Sequence, residues 1–150
     1  MVNYEFKKFH QLNTQELYDL LQLRSAVFVV EQDCVYQDLD NLDQKAIHLL
    51  GYDEKKNLVA YARILPENIP YPKCCSIGRI ISSRSMRGKG LGKAVMKKSL
   101  SYCAENFKGI PIKIMAQYYL LDFYRSFGFE AVGEKFLEDG IWHIDMVSLD

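Results

Sequence analysis

The sequence predicts an α/β fold in which largely antiparallel strands are flanked by helices. Three observations predict it. Apolar residues recur at three- and four-residue intervals over residues 13–28 and again over 91–107, the period of helices that bury one face. Short β-rich runs lie between them at residues 48–52, 58–65 and 76–82, and the polar connector Asp53-Glu54-Lys55-Lys56-Asn57 joins the first two as a hairpin would. The chain has 150 residues, 49% of them apolar, which suits one core and a single domain over residues 1–150.

Each element has its own signal. Leu17, Leu20, Leu21, Leu23 and Val27 form the apolar stripe of the first helix, with Asn13 or Thr14 available as its N-cap. Residues 31–45 then turn acidic, with Asp33, Asp38, Asp40 and Asp43, and lose the period, which predicts an irregular, solvated surface segment. Pro66, Pro70 and Pro72 mark a loop, because proline fixes φ and removes a sheet donor. The stripe of Leu91, Val95, Leu100, Cys103 and Phe107 is the clearest helix, stopped by Gly109 and Pro111. A buried strand over 110–116, a short aromatic helix over 119–127 ended by Gly128, and a closing strand within 136–147 complete the expectation.

Composition excludes some classes. Lys and Arg number 19 and Asp and Glu also 19, so no global field draws the chain to nucleic acid or an anionic membrane. The longest unbroken apolar run, Ala26-Val27-Phe28-Val29-Val30, is far short of the roughly 18 residues that span a bilayer. The first residues lack a basic region followed by an apolar stretch, so a cytoplasmic location is expected. Cys34, Cys74, Cys75 and Cys103 have no C-x-x-C spacing and are expected as free thiols, and no His/Cys cluster predicts a metal.

The segment richest in chemistry is Ile77-Gly78-Arg79-Ile80-Ile81-Ser82, followed after four residues by Arg87-Gly88-Lys89-Gly90-Leu91-Gly92 and the long helix. Glycines admit backbone conformations that let several N–H groups converge on one phosphate. A helix start adds unpaired donors and partial positive charge, and Arg87, Lys89 and Lys93 add full charges. The letters do not make a P-loop, since Gly92-Lys93 is followed by Ala94, nor a dinucleotide fingerprint, since Gly88, Gly90 and Gly92 alternate.

Arg87-x-x-Gly90-x-Gly92 between a strand and a helix resembles the pyrophosphate loop of the GNAT superfamily of N-acetyltransferases. Gln117, Tyr124 and Gly128-Phe129 resemble that superfamily's second motif, with Gln where Asn is usual. Phe28-Val29-Val30-Glu31-Gln32, His48-Leu49-Leu50-Gly51, Ala60-Tyr61-Ala62-Arg63-Ile64-Leu65 and Glu138-Asp139-Gly140-Ile141 extend the resemblance to its ElaA-type branch, although Val35 stands where proline is common.

The resemblance implies a mixed, largely antiparallel GNAT-like sheet that splays to admit acetyl-CoA. It implies that Ile80, Ile81 and Ser82 meet pantetheine through their backbone, that Arg87, Gly88, Lys89, Gly90, Leu91 and Gly92 hold pyrophosphate, and that Gln117 and Tyr124 adjoin the cofactor. An amine then attacks the thioester directly, and a backbone N–H near Ile81 stabilises the oxyanion. Tyr124 is the expected general acid, since a phenol remains a proton donor near neutrality.

A lysine-like amine costs about 4.6 kcal/mol to deprotonate at pH 7, so a base helps. Glu31, His48, Asp139 and His143 are the candidates. Glu31 ranks first because the apolar run before it would raise its pKa by burial. Arg63 and Arg79 sit in strands, where each either pairs with a carboxylate, the favoured reading, or contacts an anionic substrate. The acceptor class stays open between a small-molecule or peptide amine and an amino-sugar phosphate, and a non-catalytic acyl-CoA sensor is the rival from another class. Phe136-Leu137 and Ile141-Trp142 suit either a homodimer surface or the core.

Overall fold

The computed structural model describes residues 1–148; positions 149 and 150 lie outside the described residues. Seven strands form two antiparallel sheets: β1 (Asn3–Lys8), β2 (Ile47–Tyr52), β3 (Leu58–Leu65) and β4 (Ser76–Ser82) in that order, and β5 (Ile112–Gln117), β7 (Ile141–Ser148) and β6 (Glu130–Glu138) in the order β5-β7-β6. The sheets touch at one parallel bridge, where Cys75 N–H donates to the Pro111 carbonyl at 3.0 Å and Lys113 N–H to that of Cys75 at 2.9 Å. Beyond Cys75, β4 and β5 part. The expected sheet that is mixed but largely antiparallel, and that splays, is thus present.

Helix α1 (Thr14–Arg24) covers one face and α2 (Leu91–Asn106), with α3 (Leu121–Arg125), the other. Alternation along β3 sorts the contacts: Tyr61 packs with Leu20, Leu50 and Ile81 under α1, whereas Ala60 and Ala62 pack with Leu49, Leu91 and Val95 under α2. Asn13 is the cap of α1, with Glu16 N–H donating to its Oδ1 at 2.7 Å and its own N–H to Glu16 Oε1 at 2.9 Å, a reciprocal capping box.

Several expected boundaries move. The first helix does not run evenly to residue 28; after Arg24 it widens into π-type turns over Ser25–Glu31, which bring Val27, Phe28 and Glu31 to one side. The expected strand over 110–116 starts later, because Pro111 has no N–H for a ladder. The aromatic helix is shorter, a 3-10 turn over Tyr118–Leu120 and then α3. Residues 136–147 are not one strand but two, turning at Asp139-Gly140, where φ is +51° and +77°. Strand β1 carries no strong alternation, and β6 is exposed along most of its length, so neither was legible.

The larger correction concerns the acidic segment, which is not simply solvated. Asp38 and Asp43 are buried, and with Asp40 they hold three arginines from three elements. Arg24, fully buried, donates to Asp38 Oδ2 at 2.8 Å and Asp43 Oδ1 at 2.6 Å. Arg63 of β3 binds both oxygens of Asp40 at 2.8 Å and Asp43 Oδ1 at 3.1 Å. Arg79 of β4 donates to Asp38 Oδ1 at 2.6 Å and to the Asp38 carbonyl at 3.0 Å. Three charges of each sign therefore cancel, as buried ions require.

The network reaches the middle of β4. Opposite Ala62 the register slips, so that Tyr61 faces Ile81 while Arg63 faces Gly78, and the extra residue is accommodated with Arg79 at φ +51°. This is a β-bulge, which bends a strand and re-aims its edge. A side chain in the left-handed region costs roughly 1–2 kcal/mol, and here the two bonds to Asp38 hold it.

Arg63 beside Asp40 holds its carboxyl down to about 2, against a usual value near 3.9. A carboxylate depressed on folding stabilises the fold above its unfolded pKa and loses that contribution as pH falls through the folded one. For a partly exposed group this amounts to about 1–2 kcal/mol after allowance for solvent screening. Urea midpoints should therefore fall between about pH 4 and pH 2, and Asp40→Asn should lower the neutral-pH midpoint while flattening that acid slope.

Candidate functional site

The parting of β4 from β5 opens a cavity of about 530 Å³, a size suited to a small ligand. One wall is β4 itself: with no strand against it beyond Cys75, its edge presents backbone groups that a ligand can pair with, as an added strand would. Ile80, Ile81 and Ser82 line this wall, Ile80 packing towards α2 and Ile81 towards α1.

The glycine turn continues from the end of β4. Gly88 and Gly90 have φ of +83° and +75°, which only glycine adopts without strain, and Gly90 is the N-cap of α2 with no side-chain cap. Among the described residues, the backbone N–H groups of residues 88–93 have no partner in the chain. Consecutive free donors at the start of a sixteen-residue helix form a positive concavity. Gly92 does not need a positive φ, and a Cβ there would meet only Phe123 Cζ at 3.9 Å. The fold alone would accept alanine at that position. Lys89 is exposed, and Leu91 points into the core beneath α2.

Arg87 turns back to the strand. Its Nε donates to the Ser82 carbonyl at 3.3 Å and its guanidinium grips both oxygens of Glu31, with Nη2 to Oε2 at 3.0 Å. That pair overturns the expectation that burial raises Glu31. The side chain is not enclosed, and the Arg87 hydrogen bond instead holds its carboxyl below the usual range. Glu31 lines the cavity as half of an ion pair, poorly suited to take a proton.

His48, another candidate base, is buried away from the cavity. Its Nε2 meets the Asp43 carbonyl at 2.9 Å and must be the protonated nitrogen, so Nδ1 accepts from the Tyr61 hydroxyl at 2.6 Å. Both nitrogens are used, and burial lowers its pKa. Asp139 and His143 do line the cavity.

Tyr124 enters from α3, packed edge-on against Phe123 and Phe129. Burial, with a smaller effect of Tyr119, pushes its phenol up to about 12, so it keeps its proton at neutral pH. Gln117 ends β5, and its Nε2 donates to Gln32 Oε1 at 3.4 Å, linking the strand to the end of the π-type turns.

The strand register divides these groups between two faces. Ile114, Ala116, Ile144 and Met146 point towards the core beneath α2 and α3, where Tyr124 packs. Gln117 and its partner His143 lie on the opposite, α1 face. The cavity reaches both faces through the gap between the sheets, so a reacting group inside it is accessible from two directions. The cysteines are free thiols, and only Cys34 borders the cavity, its Sγ donating to the Asp139 carbonyl at 3.5 Å. Among the described residues no helix is long and apolar enough to cross a membrane.

Arg63 and Arg79 pair with carboxylates as the favoured reading had it, with partners the sequence did not name; the Glu31–Arg87 pair was missed, as was Tyr36, whose hydroxyl donates to Asp38 at 2.9 Å on the cavity wall. The spacing of the aspartates in the segment was the available signal, since three carboxylates near three strand or helix arginines are neutral together.

The sequence profile of the acetyltransferase (GNAT) domain matches residues 10–149. The chain is 43% identical over 148 residues to protein ElaA of Escherichia coli, covering 97% of this chain and 95% of that one. The crystal structure of E. coli ElaA superposes with a TM-score of 0.92 over 99% of both chains. An acyl-CoA N-acyltransferase from Pseudomonas aeruginosa, 39% identical, superposes with a TM-score of 0.94 over 99% of both. With the free β4 edge, the unpaired N–H groups of the glycine turn and these relatives together, the chain belongs to the GNAT acetyltransferase family and has ElaA as a homologue.

Proposed function

We propose that the protein transfers the acetyl group of acetyl-CoA to a primary amine, without a metal and without a covalent enzyme intermediate. The observation that carries this is the run of unpaired backbone donors at residues 88–93, continuous with the free edge of β4 that leads into the cleft beside Tyr124. The residues present fit the cofactor: donors and the helix start suit a diphosphate, the bare β4 edge suits the amides of pantetheine, and Gly92 leaves room where the fold does not require it.

Bound there, acetyl-CoA supplies an activated acyl group as a thioester. The chain's own contribution is to orient and to manage charge. Residues 87–92 hold the anionic end, with Arg87 fixed by Glu31 and Ser82 so that the turn keeps its shape. A backbone N–H at the bulge near Ile81, on the side of β4 that β3 does not pair with, is the donor for negative charge developing on the acyl oxygen. Tyr124 gives its proton to the departing sulfur, and its raised pKa keeps that proton in place until then. No protein nucleophile is needed, and Cys34 stays a bystander on the cavity wall.

Two outcomes follow. Calorimetric titration should give saturable acetyl-CoA binding, and Gly90→Glu, which puts a side chain at φ +75° and a negative charge in the turn, should weaken it by at least about 100-fold. In acetyl transfer to a panel of primary amines, Tyr124→Phe should lower kcat about 10²-fold while leaving acetyl-CoA affinity nearly unchanged. Absence of acetyl-CoA binding by the unaltered protein would remove the proposal.

A further inference from the structure

We infer that His143 is the base that takes the proton from the acceptor ammonium, an inference that rests on the N-acetyltransfer proposed above. The ring stacks on Phe136, and its Nδ1 lies 2.8 Å from the Ile141 carbonyl. A carbonyl only accepts, so Nδ1 carries the hydrogen and Nε2 of the neutral ring holds a lone pair. Nε2 has no partner among the described residues, yet it is not sealed from solvent as Tyr4 Oη, Tyr52 Oη and Arg63 Nε are. His143 is among the residues that line the cavity.

The other candidates lack this arrangement: Asp139 is an exposed carboxylate at the tip of the β6–β7 hairpin. His48 uses both nitrogens inside the fold, and Glu31 is held as an anion by Arg87. His10 lies on the exposed turn after β1. Position completes the case: His143 stands on the α1 face and Tyr124 on the α3 face, so an amine entering from one side meets the base while sulfur departs towards the acid on the other.

The charged and titratable groups around it come from each element that lines the cavity. The end of the π-type turns brings Glu31, neutralised by Arg87, and the segment after it brings Cys34 and Tyr36. β4 brings Arg79, neutralised by Asp38, and the β6–β7 hairpin brings Glu138 and Asp139. Asp145 lies two residues along the same face of β7, and Tyr124 keeps its proton. Glu138 and Asp139 make no salt bridge among the described residues, so the charge left over beside His143 is negative and suits an incoming ammonium.

The step balances. An N–H bond of the ammonium breaks, its electron pair stays on nitrogen, and the proton forms the Nε2–H bond of an imidazolium that later releases it to solvent. The nitrogen then bonds to the acetyl carbon as the C–S bond breaks. The carbonyl pair moves to oxygen as the C–N bond forms and returns as sulfur leaves with the C–S electrons; Tyr124 protonates the thiolate, and the second proton lost by nitrogen passes through solvent to restore the Tyr124 hydroxyl.

Two measurements test the inference. Long-range proton–nitrogen spectra of the full chain, with His143 assigned by its loss in His143→Asn, should show a neutral ring protonated on Nδ1 and bare on Nε2; protonation on Nε2 overturns it. His143→Asn keeps a donor for the Ile141 carbonyl and removes the lone pair. With acetyl-CoA and either spermidine or a lysine-containing peptide as acceptor probe, that variant should lose about 10²-fold in kcat/KM for the amine at pH 7. The deficit should shrink below about fivefold at pH 9.5, where about a tenth of a lysine-like amine is already neutral without help from the protein, with acetyl-CoA affinity unchanged by calorimetry. Equal rates at pH 7, or a deficit that does not narrow with pH, overturn the role of His143 alone. No transfer by the unaltered protein despite acetyl-CoA binding removes the acetyltransfer proposal and this one together. Should the variant fail to fold, His143 is assigned instead through the backbone resonances of the unaltered protein, and its tautomer decides.

Discussion

The contact on which the site depends is the grip of Asp38 on Arg79. A non-glycine residue in the left-handed region inside a strand is unfavourable, and β4 would relieve it by regaining regular register with β3. That relief would shift Ile80, Ile81 and Ser82 by one position and turn their side chains to the opposite faces. Asp38 prevents it with a side-chain and a backbone acceptor, and Asp38 is itself fixed by Arg24 and by Tyr36. Removing either partner would leave the cluster of three arginines and three aspartates with one charge uncompensated. The bulge is thus secured from beneath by ions that touch neither the glycine turn nor Tyr124.

The same network explains how two sheets can part without the fold opening. β4 and β5 keep only their bridge at Cys75, and beyond it hydrogen bonding between them ceases. Helix α1, continued by the π-type turns, crosses the gap on one face and reaches the second sheet through Gln32 and Gln117, while α2 and α3 close the other. Glu31, at the end of those turns, ties the glycine loop to the α1 side through Arg87. The cavity is therefore framed by three polar ties and two helical layers, and its two mouths differ in chemistry. The α2 mouth offers free backbone donors, and the α1 mouth offers a histidine, a glutamine and two carboxylates.

What the sequence revealed and what it concealed divide along physical lines. Leu58–Leu65 and Ser76–Ser82 were legible to the residue because buried strands carry dense β-branched and aromatic runs bounded by turn residues. α2 was legible because a sixteen-residue stripe begins at a glycine and ends near another. β6 was hidden because neither of its faces is strongly buried, and an exposed strand needs no alternation. The glycine turn before α2 could be anticipated because glycine's conformational range leaves a trace in the letters. A base could not be chosen, because deciding among Glu31, His48, Asp139 and His143 depends on which partner each has across the fold. Glu31 was misjudged on its apolar neighbours in sequence, when its partner in space, Arg87, lies 56 residues away.

The most direct test of this account is a crystal structure of the protein with acetyl-CoA bound. The account predicts the diphosphate against the N–H groups of residues 88–93, pantetheine along the β4 edge, and the thioester in the gap between β4 and β5, with Tyr124 near its sulfur and the bulge at Arg79 unchanged. A cofactor bound elsewhere on the surface, or a β4 that straightens and closes on β5 in the complex, would contradict it.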